Sequence, residues 1–173
     1  MKSSLCCNRR AVRVNGFTLM ELLIVMAIIA ILMLIAIPTV GSLKKKANDL
    51  SAIQSIHTII NAENMYESNY PTNGFACSIT ALGGDPKSGA PSALSAQLIQ
   101  PDLASGLKSG YIFTVTNCSK INAGGGDRIT GYTVTAIPQT VGSTGDRAFC
   151  SDQSGIIKFD PAGGSNCSQT LGQ

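Results

Sequence analysis

Apolar and polar positions divide this chain into three textures. Residues 1–16 are polar and basic. Residues 17–37 (FTLMELLIVMAIIAILMLIAI) are a run of 21 residues with one charge, Glu21. As a helix rising about 1.5 Å per residue the run covers roughly 31 Å, the thickness of a bilayer core. Pro38, Gly41 and the basic triplet Lys44-Lys45-Lys46 follow. Next, Leu50, Ile53, Ile56, Ile60 and Tyr66 recur at near-helical spacing among polar residues, and Ile59 and Met65 widen that face. Pro71, Asn73 and Gly74 are stop signals. Proline is tolerated in membrane helices with a kink, so the pattern predicts one long helix over about 17–70. It is apolar all round at first and amphipathic later.

Beyond residue 71 the chain turns to Gly, Ser, Thr, Pro and Ala. A short helix is expected over 92–100. Runs at 111–116 and 130–137 alternate or are rich in β-branched and aromatic types, as strands do. Runs at 147–151 and 155–159 flank Asp152-Gln153-Ser154 and are expected to pair as a hairpin. Residues 122–127, with three glycines in succession, read as a loop. The expected fold class is α+β: a long N-terminal helix, membrane-spanning in its first half and amphipathic in its second, packed on a small antiparallel sheet.

Composition changes the picture in two places. The net charge of +3 rests on Lys2, Arg9, Arg10 and Arg13, since the residues after the first sixteen carry nine basic and ten acidic side chains. The basicity is local, and no specific nucleic-acid partner is implied. Six cysteines fall as Cys6 and Cys7 before the apolar run and Cys77, Cys118, Cys150 and Cys167 after it. Four widely spaced cysteines without C-x-x-C suit two disulfides better than a metal site, and place the head outside the cytoplasm. Basic residues flank the apolar run on both sides, four against three. The balance favours the N-terminus inside, with Lys44–Lys46 as an interfacial flank near lipid headgroups.

Candidate chemistry sits at the N-terminus. A secretory signal places its cleavage site after the apolar region. Here the small residue before a plausible cut, Gly16, precedes it, so a cut at Gly16–Phe17 leaves the apolar helix in the mature chain. Glu21 lies inside that helix, where a carboxylate costs roughly 2.5–3.5 kcal/mol on insertion scales and asks for a partner. The cut creates an ammonium at Phe17, four residues away, on the same chain or on a neighbour. Such an ion pair specifies alignment more than it stabilises.

The sequence Arg13-Val14-Asn15-Gly16-Phe17-Thr18-Leu19-Met20-Glu21-Leu22, followed by aliphatic residues and Pro38, resembles the prepilin N-terminus of type IV pilins and type II secretion pseudopilins. The resemblance covers roughly residues 9–45. It implies cleavage between Gly16 and Phe17 by prepilin peptidase, N-methylation of Phe17, and a requirement for Gly16. It also implies alignment of an incoming subunit through Glu21, with Pro38 near the end of the apolar helix. Residues 1–16 would be a leader that is removed, 17–43 the transmembrane and filament-core helix, and 44–173 the amphipathic continuation and extracytoplasmic head. The expected partners are copies of the chain in a helical filament, the peptidase, inner-membrane assembly machinery and, before assembly, the inner membrane. The expected location is single-pass in the inner membrane, then an extracellular pilus or periplasmic pseudopilus. Tyr70-Pro71-Thr72 resembles the helix exit of major pseudopilins, and residues 144–157 (TGDRAFCSDQSGII) resemble the C-terminal hairpin of one pilin-like group. Pilins often staple the C-terminal region, which suits Cys150–Cys167 and leaves Cys77–Cys118, one of three pairings the sequence allows.

The expected role is a structural subunit of a pilus-like filament, not an enzyme, with no cofactor and no metal. No G-x-S-x-G, H-E-x-x-H or P-loop occurs, and His57 has no companions that mark catalysis. The rivals are a type II secretion pseudopilin driving export and an uncleaved signal-anchored membrane protein with a binding head. The Ser/Thr/Gly-rich head with two disulfides leans toward a surface pilus.

Overall fold

The structure, a computed structural model, describes residues 16–87, 89–122 and 126–172, and within these the side chains of residues 35–39 are not described. Of the expected leader, residues 1–16, all but Gly16 lie outside the described residues. The chain divides into two compact units with their boundary between Thr39 and Val40.

Helix α1 runs Leu19–Asn69. Its backbone passes through position 38 without leaving the helix; the Pro38 ring itself lies outside the described side chains. The apolar side chains from Leu19 to Leu34 are exposed, among them Leu19, Met20 and Leu34. Among the described residues no helix is long and apolar enough to cross a membrane.

In the second unit, α1 from Val40 onward lies against a six-stranded antiparallel sheet whose strands follow one another in chain order. These are β1 Leu107–Lys108, β2 Tyr111–Asn122, β3 Asp127–Pro138, β4 Ala148–Asp152, β5 Lys158–Asp160 and β6 Gln169–Thr170. The α+β class is therefore the observed one. Two short helices, α2 Ile79–Leu82 and α3 Pro101–Ala104, sit in the connection between α1 and β1.

Alternation in β2 and β3 does what period two requires. Tyr111, Phe113 and Val115 point inward with Tyr132, Val134 and Ala136, and Phe149 of β4 joins them. Against them α1 presents Ala52, Ile56, Ile59, Ile60, Ala62 and Tyr66. The outward rows pair Ile112 with Ile137, Thr114 with Thr135 and Thr116 with Thr133.

Four expectations are corrected in detail. The sheet has six strands, the extra two being the short edges β1 and β6. The strands β2 and β3 continue past residue 116 and begin before 130, so residue 122 belongs to β2 and residue 127 to β3, while 123–125 lie outside the described residues. No helix forms over 92–100. Backbone N–H groups of Ala96, Gln97 and Leu98 instead donate to carbonyls of Ala81, Gly83 and Leu82, each at 2.8 Å, and Pro101 then opens α3. Finally, Leu50 and Met65 stand on the exposed side of α1, while the buried side includes Asp49, Ser55 and Glu63.

Candidate processing and assembly site

Gly16, Phe17 and Thr18 precede α1 as exposed, irregular chain, with Phe17 87% accessible. Among the described residues nothing lies within 4 Å of a Cβ built at Gly16, so their packing makes no demand for glycine there. Thr18 and Glu21 then close a capping box. The Glu21 N–H donates to Thr18 Oγ1 at 3.2 Å, while the Thr18 N–H and hydroxyl donate to Glu21 Oε2 at 2.9 and 2.8 Å. This satisfies amide groups that the first turn of any helix leaves unpaired, and sets a carboxylate against the positive end of the helix dipole. The Thr-x-x-Glu spacing at 18–21 is a sequence signature of a helix start.

A second polar constellation joins the 144–147 segment to α1. Asp49 is buried. Arg147 Nε and Nη2 donate to Asp49 Oδ2 at 3.2 and 3.0 Å. The Tyr111 hydroxyl donates to Asp49 Oδ1 at 2.6 Å and lies 2.8 Å from the Arg147 carbonyl oxygen. The Arg147 guanidinium also stacks 5.5 Å from the ring centroids of Phe149 and Phe159. One turn earlier, Lys45 reaches Asp146 at 2.9 Å and Asn48 Nδ2 donates to the Thr144 carbonyl at 2.8 Å. Gly145 lies beneath the Tyr111 ring, where a Cβ would overlap the phenol. Burial first, and the Asp49 contact second, push the Tyr111 hydroxyl pKa upward.

Further along α1, Glu63 has no exposed surface. Its Oε2 accepts the Ala76 N–H at 2.7 Å; among the described residues its Oε1 has no partner, nor does the buried hydroxyl of Tyr132. Burial raises the Glu63 pKa to about 8, against the lowering effect of the Ala76 N–H. Burial, with Glu63 next, raises that of Tyr132.

The cystines are Cys77–Cys118 and Cys150–Cys167, with Cα separations of 5.9 and 6.0 Å. The first ties the chain beyond α1 to the irregular stretch of β2 between Thr116 and Ser119, the second ties β4 to the C-terminal segment. The three aspartates of the C-terminal region stay apart in role. Asp146 binds Lys45, Asp152 accepts the Ser154 N–H at 2.8 Å, and Asp160 accepts those of Ala162 and Asn166 at 2.9 and 3.3 Å. Among the described residues no group of three or more His, Cys, Asp or Glu is arranged to hold a metal ion. His57 stands exposed on α1.

A helix opened by a threonine–glutamate box beside an exposed Gly-Phe junction, and leading into a disulfide-closed α+β head, defines the pilin-like class of subunits. A family model described as the prokaryotic N-terminal methylation motif matches residues 12–37. The type IV wide pilus major component PilA4 of Thermus thermophilus is 33% identical over 102 residues, which cover 57% of this chain and 78% of that protein. No solved structure matches the chain. The chain belongs to the type IV pilin family.

Proposed function

We propose that the chain is the precursor of a structural subunit of a type IV pilus, cut between Gly16 and Phe17 by prepilin peptidase and methylated at Phe17. The observation that carries this reading is the exposed Gly16–Phe17 junction immediately before the Thr18–Glu21 box, within the matched methylation motif. A glycine that packing does not require is a glycine free to serve recognition. The precursor sits in the inner membrane through residues 17–37, N-terminus inside, and the mature helix then exchanges lipid for copies of itself. In the filament, van der Waals packing of apolar helices holds subunits together, since lipid and neighbour are equally apolar. Glu21 receives the Phe17 ammonium of a neighbour, and this pairing sets the axial register. Pro38 is where the helix bends during that exchange.

Intact mass and N-terminal peptide mass spectrometry on protein from its native host tests the reading, with and without reduction. The expected result is a chain beginning at methylated Phe17 that gains four hydrogens on reduction. A chain beginning at or near Met1 would overturn it in favour of an uncleaved membrane anchor. A processed chain confined to the periplasm, and absent from sheared surface filaments, would assign it to a secretion pseudopilus.

A further inference from the structure

The basic triplet Lys44-Lys45-Lys46 is continuous in sequence but not in space. Lys45 turns toward the sheet and binds Asp146 at 2.9 Å, on the same side as Asn48 and Asp49, which hold Thr144 and Arg147. Lys44 and Lys46 stay exposed. At 100° per residue, the direction opposite Lys45 is occupied by Val40, Leu43, Ala47 and Leu50. All four are exposed, with Val40, Leu43 and Leu50 at 61, 62 and 65% accessibility. Lys44 borders this apolar stripe on one side and Lys46 on the other. The result is a short amphipathic face, apolar in the middle and cationic at both margins, directed away from the head.

We propose that this face is a seat for an anionic lipid surface. The stripe from Val40 to Leu50 lies at the boundary of headgroups and acyl chains, and the Lys44 and Lys46 ammonium groups reach lipid phosphates on either side. This rests on the membrane-anchored precursor proposed above. The alternative occupant is the same stretch of helix from a second copy, and charge argues against it. Between Val40 and Tyr66 the only carboxylates on α1 are Asp49 and Glu63, both buried, so a second copy of this face brings lysines to lysines. Phosphate supplies the missing charge. The division of labour within the triplet follows: Lys45 holds the head to the helix, and its neighbours hold the helix to the bilayer.

The test uses the full-length precursor in nanodiscs of phosphatidylcholine alone or with about one third phosphatidylglycerol. Brief reductive methylation with uncharged formaldehyde and borane is read at each lysine by tandem mass spectrometry. Phosphate contact worth about 1 kcal/mol per lysine corresponds to roughly fivefold protection. Lys44 and Lys46 should therefore react several-fold more slowly in anionic than in zwitterionic discs. Lys45, held by Asp146, and Lys87, exposed on the head, should react equally in both. The full-length double variant Lys44→Gln/Lys46→Gln should insert with unchanged circular dichroism but lose the parent's preference for anionic over zwitterionic discs when the two compete for it. Equal labelling of inserted protein in the two disc types overturns the proposal. Protection in zwitterionic discs by added inorganic phosphate, or protection that grows with the number of chains per disc, also overturns it, in favour of a free anion or a second copy. Failure of the chain to enter either disc overturns the membrane reading beneath it.

Discussion

Glu63 enters the head without a cation to meet it. With its pKa raised to about 8 inside the fold and near its usual value when unfolded, the native state holds a proton that the unfolded chain releases. The contribution is fully favourable below the unfolded value near 4.5, shrinks by about 1.4 kcal/mol per pH unit above it, and is gone once pH passes about 8. Glu63→Gln keeps an acceptor for the Ala76 N–H and cannot ionise. Its melting temperature should match the parent at pH 5, exceed it at pH 9, and vary less between the two. A parent melting curve that rises from pH 5 to pH 9 while the variant's stays flat would refute this account. Asp49 is the opposite case, an acid whose charge is answered by Arg147. Asp49→Ala removes the partner of a guanidinium that is 41% exposed to water and leaves the Tyr111 hydroxyl only its Arg147 carbonyl, so it should cost about 2–3 kcal/mol in urea unfolding, whereas Tyr111→Phe should cost roughly 1–2. Neither acid was legible as buried. The apolar periodicity of α1 pointed to Leu50 and Met65, which are exposed, because a hydrophobic pattern cannot distinguish an apolar face meant for the head from one left for another surface.

At the scale of elements, the turn that ends α1 and docks it on β3 depends on one glycine. Gly74 has φ of +76°, and a Cβ there would overlap the Ile129 carbonyl, where Phe75 N–H donates at 3.1 Å and Ile129 N–H donates back to Asn73. Gly74→Ala should destabilise the oxidised chain by roughly 2 kcal/mol or more, read as a shift in the unfolding midpoint. Removing Cys77–Cys118, which spans 41 residues, should cost roughly 4 kcal/mol, and removing Cys150–Cys167, which spans 17, roughly 3. Paired serine variants compared by thermal unfolding check the order. The element types were readable where the chain alternates, as in residues 111–116. They were unreadable in residues 117–122, NCSKIN, where a polar stretch is held as strand by its partner Asp127–Gly131 and not by a core. The missing 92–100 helix is a related case. Its amides pair with α2, a tertiary choice that overrides local propensity.

For the whole molecule, the N-terminal motif was readable because its chemistry is local. Gly16, Phe17, Thr18 and Glu21 lie close together along the chain, within about one and a half helical turns. The Asp49–Arg147–Tyr111 network was not, since its members lie far apart in sequence and meet only after folding. Under the pilin reading, Thr18→Ala weakens the box that positions Glu21, and Glu21→Ala removes the carboxylate altogether. The expectation is reduced filament yield for the first and none for the second, with cleavage at Gly16 retained, measured as sheared surface protein against total processed protein. A Glu21→Ala chain that assembles normally would leave the box as a helix start and nothing more.

The sheet is built in strict chain order, each strand beside the one made just before it. Every strand pairing is therefore a nearest-neighbour event that can be completed as the chain is made, and little loop entropy has to be overcome. What cannot be completed early is the seating of α1, because its partners Tyr111, Tyr132 and Arg147 arrive long after it. Until they do, Asp49 and Glu63 keep that side of the helix wet and solvated. An emerging subunit thus carries its own protection against premature sticking, and loses it at the moment the head closes.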